Sequence, residues 1–149
     1  MKKLILLLVI YLAFISLGLP DALLGSAWPE MYKYLKVPID YAGIISMIVA
    51  SGTVISSLLS GYFIQKFGEA KVTTVSVILT AIALMGFSYS QHFLFLCLLG
   101  IPLGLGAGSV DAALNNYVAI HYQSKHMNWL HCFWGVGAAI GPIIMAGYL

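Results

Sequence analysis

An all-α, polytopic membrane bundle of about five transmembrane helices is the fold class this sequence predicts, on three observations. Hydrophobic residues make up 61% of the 149 and charged residues only 8%, against roughly 25% charged in a soluble domain, so the chain cannot cover its apolar surface in water. The apolar residues fall in five runs, each near the roughly 20 residues that a crossing needs. The connections between them are short and carry most of the lysines.

The runs are read at 4–28, 41–65, 72–90, 93–119 and 129–149. The first begins after Lys2 and Lys3, is leucine-rich, and should end at EMYKYLKVPID, bracketed by Pro29 and Pro38, since proline removes a backbone donor. A secretory leader cleaved before Trp28 is the rival reading, given Gly25-Ser26-Ala27. The run from Leu4 to Leu19 fills the whole of an ordinary leader's apolar region, and another crossing follows, so a membrane anchor is expected. The second run stops at KFGEAK, the third at SQH and the fourth at HYQSKHMN. Pro20, Pro102 and Pro142 should distort their helices.

Lysine placement sets the orientation. With the amino terminus in the cytoplasm, Lys2, Lys3, Lys66, Lys71 and Lys125 lie inside and Lys33 and Lys36 outside. That bias expects a cytoplasmic start, and the expected localisation is the plasma membrane. A net charge of +2 and no arginine give no footing for a nucleic-acid partner. Cys97 and Cys132 have no metal or redox spacing and read as small buried hydrophobes.

Helices in lipid pack closely only through small side chains. Gly52, Ser56 and Ser60 stand four apart on the second helix; Gly100, Gly104, Gly108 and Ala112 continue that spacing along the fourth; Gly137, Gly141 and Pro142 follow on the fifth. Each set makes a smooth groove.

Two acids fall within the spans. Asp111 lies eight residues before the end of the fourth run, roughly 12 Å into the hydrocarbon. A charge at the bilayer centre costs on the order of 3 kcal/mol, so Asp111 should face the bundle interior, where an acid takes up and releases a proton. Asn115 is one turn on and Asn116 about 100° round, so an amide-lined cavity is expected. Asp21, beside Gly18 and Pro20, is the second acid and sits toward the outer side. His121, His126 and His131 are five apart, and each step turns the ring about 140° around a helix, so they do not converge on a metal. The first two read as solvated loop residues, and His131, near Trp129 and Trp134, as a cavity residue. No cofactor site, nucleophilic triad or phosphate-cradling loop is present, and an enzyme is not expected.

Several stretches resemble one known family, the major facilitator superfamily of transporters, over nearly the whole chain. DAALNNYV, residues 111–118, resembles the fourth-helix signature of its fucose permease-like sugar/proton symporter branch, an acid followed four residues later by asparagine. That resemblance implies Asp111 as the proton-coupling acid and Asn115 as a substrate-cavity residue. SLGLPDALLGSAWPEM, residues 16–31, resembles the branch's first helix, which also carries an acid and implies Asp21. GYFIQKFGEAK resembles the superfamily's loop motif: Gly61, Lys66, Gly68 and Lys71 match, while Gln65 replaces an acid and Glu69 a base. Gly137, Gly141 and Pro142 resemble a glycine-proline motif associated with antiporters.

The resemblance implies twelve helices in two halves with substrate at the midplane, of which residues 1–149 would supply part of the amino-terminal six. The expected function is transport of a small polar solute such as a sugar, with proton coupling. Asp111 and Asp21 would handle the proton, and Asn115, Asn116, His131 and Trp134 the solute. Gly52, Gly61, Gly68, Gly104, Gly108, Gly137, Gly141 and Pro142 would serve packing and gating. The expected partners are solute, protons, the bilayer, and carboxy-terminal helices or a companion chain. An uncoupled facilitator and a non-transporting membrane scaffold are the alternatives.

Overall fold

The computed structural model describes residues 2–147. Its five helices are α1 (Lys2–Leu35), α2 (Tyr41–Phe67), α3 (Glu69–Tyr89), α4 (Phe93–His121) and α5 (Ser124–Ala146), and no strand occurs among the described residues. All five are long and apolar enough to cross a membrane; even the 21 residues of α3 make a rod of about 31 Å. Leu58, Leu94 and Ile143 are each more than 70% exposed, as expected where apolar side chains meet lipid rather than a water-shielded core.

Two boundaries differ from the sequence reading by five residues or more. Helix α1 runs through Pro29 to Leu35, because one missing N–H removes one bond while the residues beyond keep theirs, and Lys33 bonds Glu30 across one turn at 2.9 Å. It ends at Lys36, whose φ of 54° leaves its N–H on the Lys33 carbonyl and that of Val37 on the Tyr32 carbonyl. Helix α5 begins at Ser124 instead of near 129, so the polar stretch expected to be loop is helical.

The chain divides into two compact units, Pro29–Leu114 and Met1–Trp28 with Asn115–Leu149. In the first, α2 and α4 run parallel: the Tyr41 and Phe93 rings lie tilted against each other with centroids 4.8 Å apart, and further along Gly52 meets Gly104 and Thr53 meets Gly108. Gly52, Ser56 and Ser60 are all buried, as their spacing predicts. A Cβ on Gly104 would collide with the Val49 carbonyl, and one on Gly108 with Ser56 and the Thr53 carbonyl. Helix α3 runs antiparallel to α4, with Gly86 on Leu99 and Gly106 on Ser76 and Thr80. Ile45, Leu96, Val110 and Ala113 fill the remaining interior.

In the other unit α1 and α5 run parallel, the sense required of the first and fifth crossings of one bundle. Gly137 sits on the Ile15 carbonyl and Gly18 on the Trp134 carbonyl. Phe14 and Leu130 are fully buried here. Gly61 and Gly68 do not share in such seams: both are exposed, and a Cβ on either would meet nothing within 4 Å. Gly68 serves the turn instead, its φ of 83° being one that glycine alone adopts freely, with its N–H on the Ile64 carbonyl at 2.8 Å. Gly61→Ala should therefore keep or raise stability, by up to about 1 kcal/mol from helix propensity, measured by thermal unfolding in detergent.

Candidate functional site

The fourth helix carries Asp111 half-buried between the fully buried Val110 and Ala113. At 100° per residue it lies within the 80° arc that Gly100, Gly104 and Gly108 define, the arc those glycines turn toward α2. Small residues are what allow α2 to come that close, so the acid follows the protein-facing side of α4.

Along the same seam α2 presents hydroxyls. Thr53 donates to the Val49 carbonyl at 3.0 Å, Ser56 to the Thr53 carbonyl at 3.2 Å, Ser60 to the Ser57 carbonyl at 2.6 Å, and Ser57 reaches across to the Gly108 carbonyl at 3.4 Å. A hydroxyl that back-bonds its own helix keeps its lone pairs available as acceptors. Sequence reasoning registered Ser56 and Ser60 as small; their oxygen chemistry went unread.

A groove of about 420 Å³ lies on the other side of α4, lined by Phe63, Phe67, Lys71, Val75, Ser76 and Ser109. Ser109 is about 160° around the helix from Asp111, so this groove belongs to a different face. Lys66 lies over the Tyr62 and Phe67 rings at 5.7 and 5.4 Å, a cation–π contact at the end of α2.

Asn115 and Asn116 belong to the other unit. The Asn115 Oδ1 atom is buried and Asn116 is exposed. In that unit the structure joins two residues that the sequence separates by 113 positions: the Trp134 indole N–H donates to the Asp21 carboxylate at 3.2 Å. His131, exposed, sets its ring edge-on to Phe14 with centroids 6.3 Å apart.

The two other histidines correct the loop reading. His121 ends α4, stacked on Tyr117 at 4.2 Å. His126 lies inside α5, half-buried, with its Nδ1 2.7 Å from the Tyr11 hydroxyl, and Tyr11 in turn stacks on Phe133 at 4.6 Å. Polarity marked the stretch as loop because no sequence signal pairs Tyr11 with His126. Tyr122, between α4 and α5, donates its hydroxyl to the Lys3 carbonyl at 2.9 Å. Tyr11→Phe should cost about 1 kcal/mol, the net worth of one hydrogen bond, read as a lowered midpoint in detergent unfolding. The cysteines also depart from expectation, Cys97 being half-buried and Cys132 exposed: Cys132 sits on the side of α5 turned away from the Gly137 seam.

Comparison with known proteins gives a consistent result. Residues 10–149 match the sequence profile of the family described as Major Facilitator Superfamily. The glucose/mannose transporter GlcP of Bacillus subtilis (strain 168) is 21% identical over 141 residues, 93% of this chain and 35% of that protein. The cis,cis-muconate transport protein of Acinetobacter baylyi is 26% identical over 112 residues, 72% of this chain and 27% of that protein. Human synaptic vesicle glycoprotein 2B is 27% identical over 137 residues, 89% of this chain and 20% of that protein. The chain thus spans about a third or less of the length of these relatives. No solved structure is a significant match.

Proposed function

The chain belongs to the Major Facilitator Superfamily and is an integral, multi-pass membrane protein, and from that premise we propose that it forms the amino-terminal part of a proton-coupled transporter for a small polar solute. The observation that carries the reading is Asp111, a carboxyl within a membrane span on the helix arc that packs against protein. An ionisable group so placed is costly in lipid and becomes useful when its charge changes with conformation.

In this mechanism the transporter alternates between inward- and outward-open states around a midplane site. The glycine seams suit such motion, because smooth backbone-to-backbone contacts hold α2 to α4 and α1 to α5 while the helices move. Asp111 takes a proton on one side and releases it on the other. Asp21 is the second proton site, and Asn115, Asn116, His131 and Trp134 offer hydrogen-bonding groups to solute. Similarity to proteins named as a glucose/mannose transporter and a cis,cis-muconate transport protein supports a small polar solute, and the fourth-helix pattern of acid and asparagine supports a sugar. The excess of lysines on the amino-terminal side supports an amino terminus inside, and the plasma membrane is the proposed location.

The test is uptake of labelled glucose, then cis,cis-muconate, by the complete transporter in proteoliposomes under an imposed pH gradient. Accumulation above the external concentration supports coupling. Equilibration without accumulation assigns an uncoupled facilitator.

A further inference from the structure

We propose that Trp134 is a positioning residue for a proton site: its indole N–H holds the Asp21 carboxylate against α5, and protonation of that carboxyl releases the indole. The inference rests on the reading of Asp21 as a proton-binding acid and adds the element that would sense its charge.

The geometry begins with the glycines. Gly18, one turn before Asp21, takes the Trp134 carbonyl into the space a Cβ would occupy, and two turns on along α5 Gly141 lies against the Ala22 side chain, where an added Cβ would stand 3.0 Å away. The backbone of Trp134 is therefore fixed against α1 within a turn of Asp21. From there the indole reaches the carboxylate Oδ2 at 3.2 Å.

An indole has one N–H donor and no acceptor. In an apolar span its choice of acceptor is narrow, and a carboxylate is the strongest one within reach. A hydrogen bond to an ionised acceptor is roughly twice as strong as a neutral one. Adding a proton to Asp21 removes that advantage, and the tie between α1 and α5 weakens while the glycine seam stays. Asp21 is exposed and Trp134 is 41% exposed, so the pair lies at an open side of its unit.

Few other groups could produce the same response. On α1, Asp21 is the only ionisable residue between Tyr11 and Trp28. On α5, His131 lies about one turn before Trp134, edge-on to Phe14, and Cys132 is exposed. The α4 segment of this unit contributes Tyr117 and His121, stacked on each other on the segment leading to Tyr122, which meets α1 at Lys3; Tyr11 and His126 pair ten residues before Asp21, roughly 15 Å along the helix.

The experiment follows the indole directly. The protein is labelled with 15N at its tryptophan indoles in detergent micelles, in a His131→Gln background, and the Trp134 resonance is assigned by its absence in Trp134→Phe. The indole proton should move upfield in a single step as pH falls, and should stay fixed in Asp21→Asn. Asp21→Glu, which restores a carboxyl, should restore the step. A resonance that does not move with pH, or that moves equally in Asp21→Asn, overturns the proposal. The readout is independent of uptake: a static indole together with lost pH-driven uptake in Asp21→Asn would remove Trp134 from the mechanism and leave the proton site standing.

Discussion

Replacing Asp111 with asparagine is expected to abolish pH-driven accumulation by the complete transporter while leaving solute exchange across the membrane. The substitution keeps the side chain's size and hydrogen-bonding capacity and removes only its ability to carry a proton. For one proton per solute, each unit of pH gradient is worth 1.36 kcal/mol and sustains about tenfold accumulation, so a two-unit gradient should give about a hundredfold in the native protein and none in Asp111→Asn. Exchange should persist because it needs only the rocking motion and the solute contacts. Retained accumulation in the variant would move the coupling role elsewhere, with Asp21 the first group to examine.

The second large effect concerns the seams. Gly104→Leu and Gly137→Leu should each cost about 3 kcal/mol or more, at the upper end of overpacking penalties, because the atoms in the way are backbone. At Gly104 the obstruction is the Val49 carbonyl and at Gly137 the Ile15 carbonyl, neither of which can swing aside as a side-chain tip can. Gly25→Leu is the matched control, since nothing lies within 4 Å of a Cβ there. Thermal unfolding in detergent reads all three, and the two seam variants should lose most of the folded population under conditions where the control matches the parent. Equal stability of all three would mean that the seams are looser than the close approaches indicate.

Much of this architecture was legible in the sequence because membrane spans are written in composition. The apolar runs located all five helices, and four-residue spacing picked out Gly52, Ser56 and Ser60 and the glycines of α4 as packing faces, which they are. The errors share one physical origin. Punctuation marks where a span could leave lipid, whereas hydrogen bonding decides where a helix ends: Pro29 and the polar residues 124–128 read as loop, yet their backbones remain helical. Gly61 was placed among the packing and gating glycines through the loop motif, but it lies about 180° around α2 from Gly52, and a Cβ there would meet nothing within 4 Å.

The site was legible in part. Asp111 and Asp21 stand out as acids in apolar surroundings. The bond from Trp134 to Asp21, the pairing of Tyr11 with His126 and the reach of Ser57 to the Gly108 carbonyl arise from tertiary juxtaposition, whereas the hydroxyls of Thr53, Ser56, Ser57 and Ser60 stand at helical spacing on one face of α2. No local periodicity encodes which residue of α1 will face which residue of α5, and the glycines that bring them together only permit the approach.

The account depends above all on the side chain at position 111 facing protein rather than lipid. A nitroxide attached to Asp111→Cys, with Cys97 and Cys132 replaced by serine, reports this through its collision rates with oxygen, which concentrates in acyl chains, and with a water-soluble nickel chelate. The account predicts low oxygen accessibility at 111, well below that of the same label at Leu98, which is 57% exposed on the same helix. Oxygen accessibility at 111 equal to that at 98, with no access for the chelate, would place the acid against lipid and contradict the mechanism.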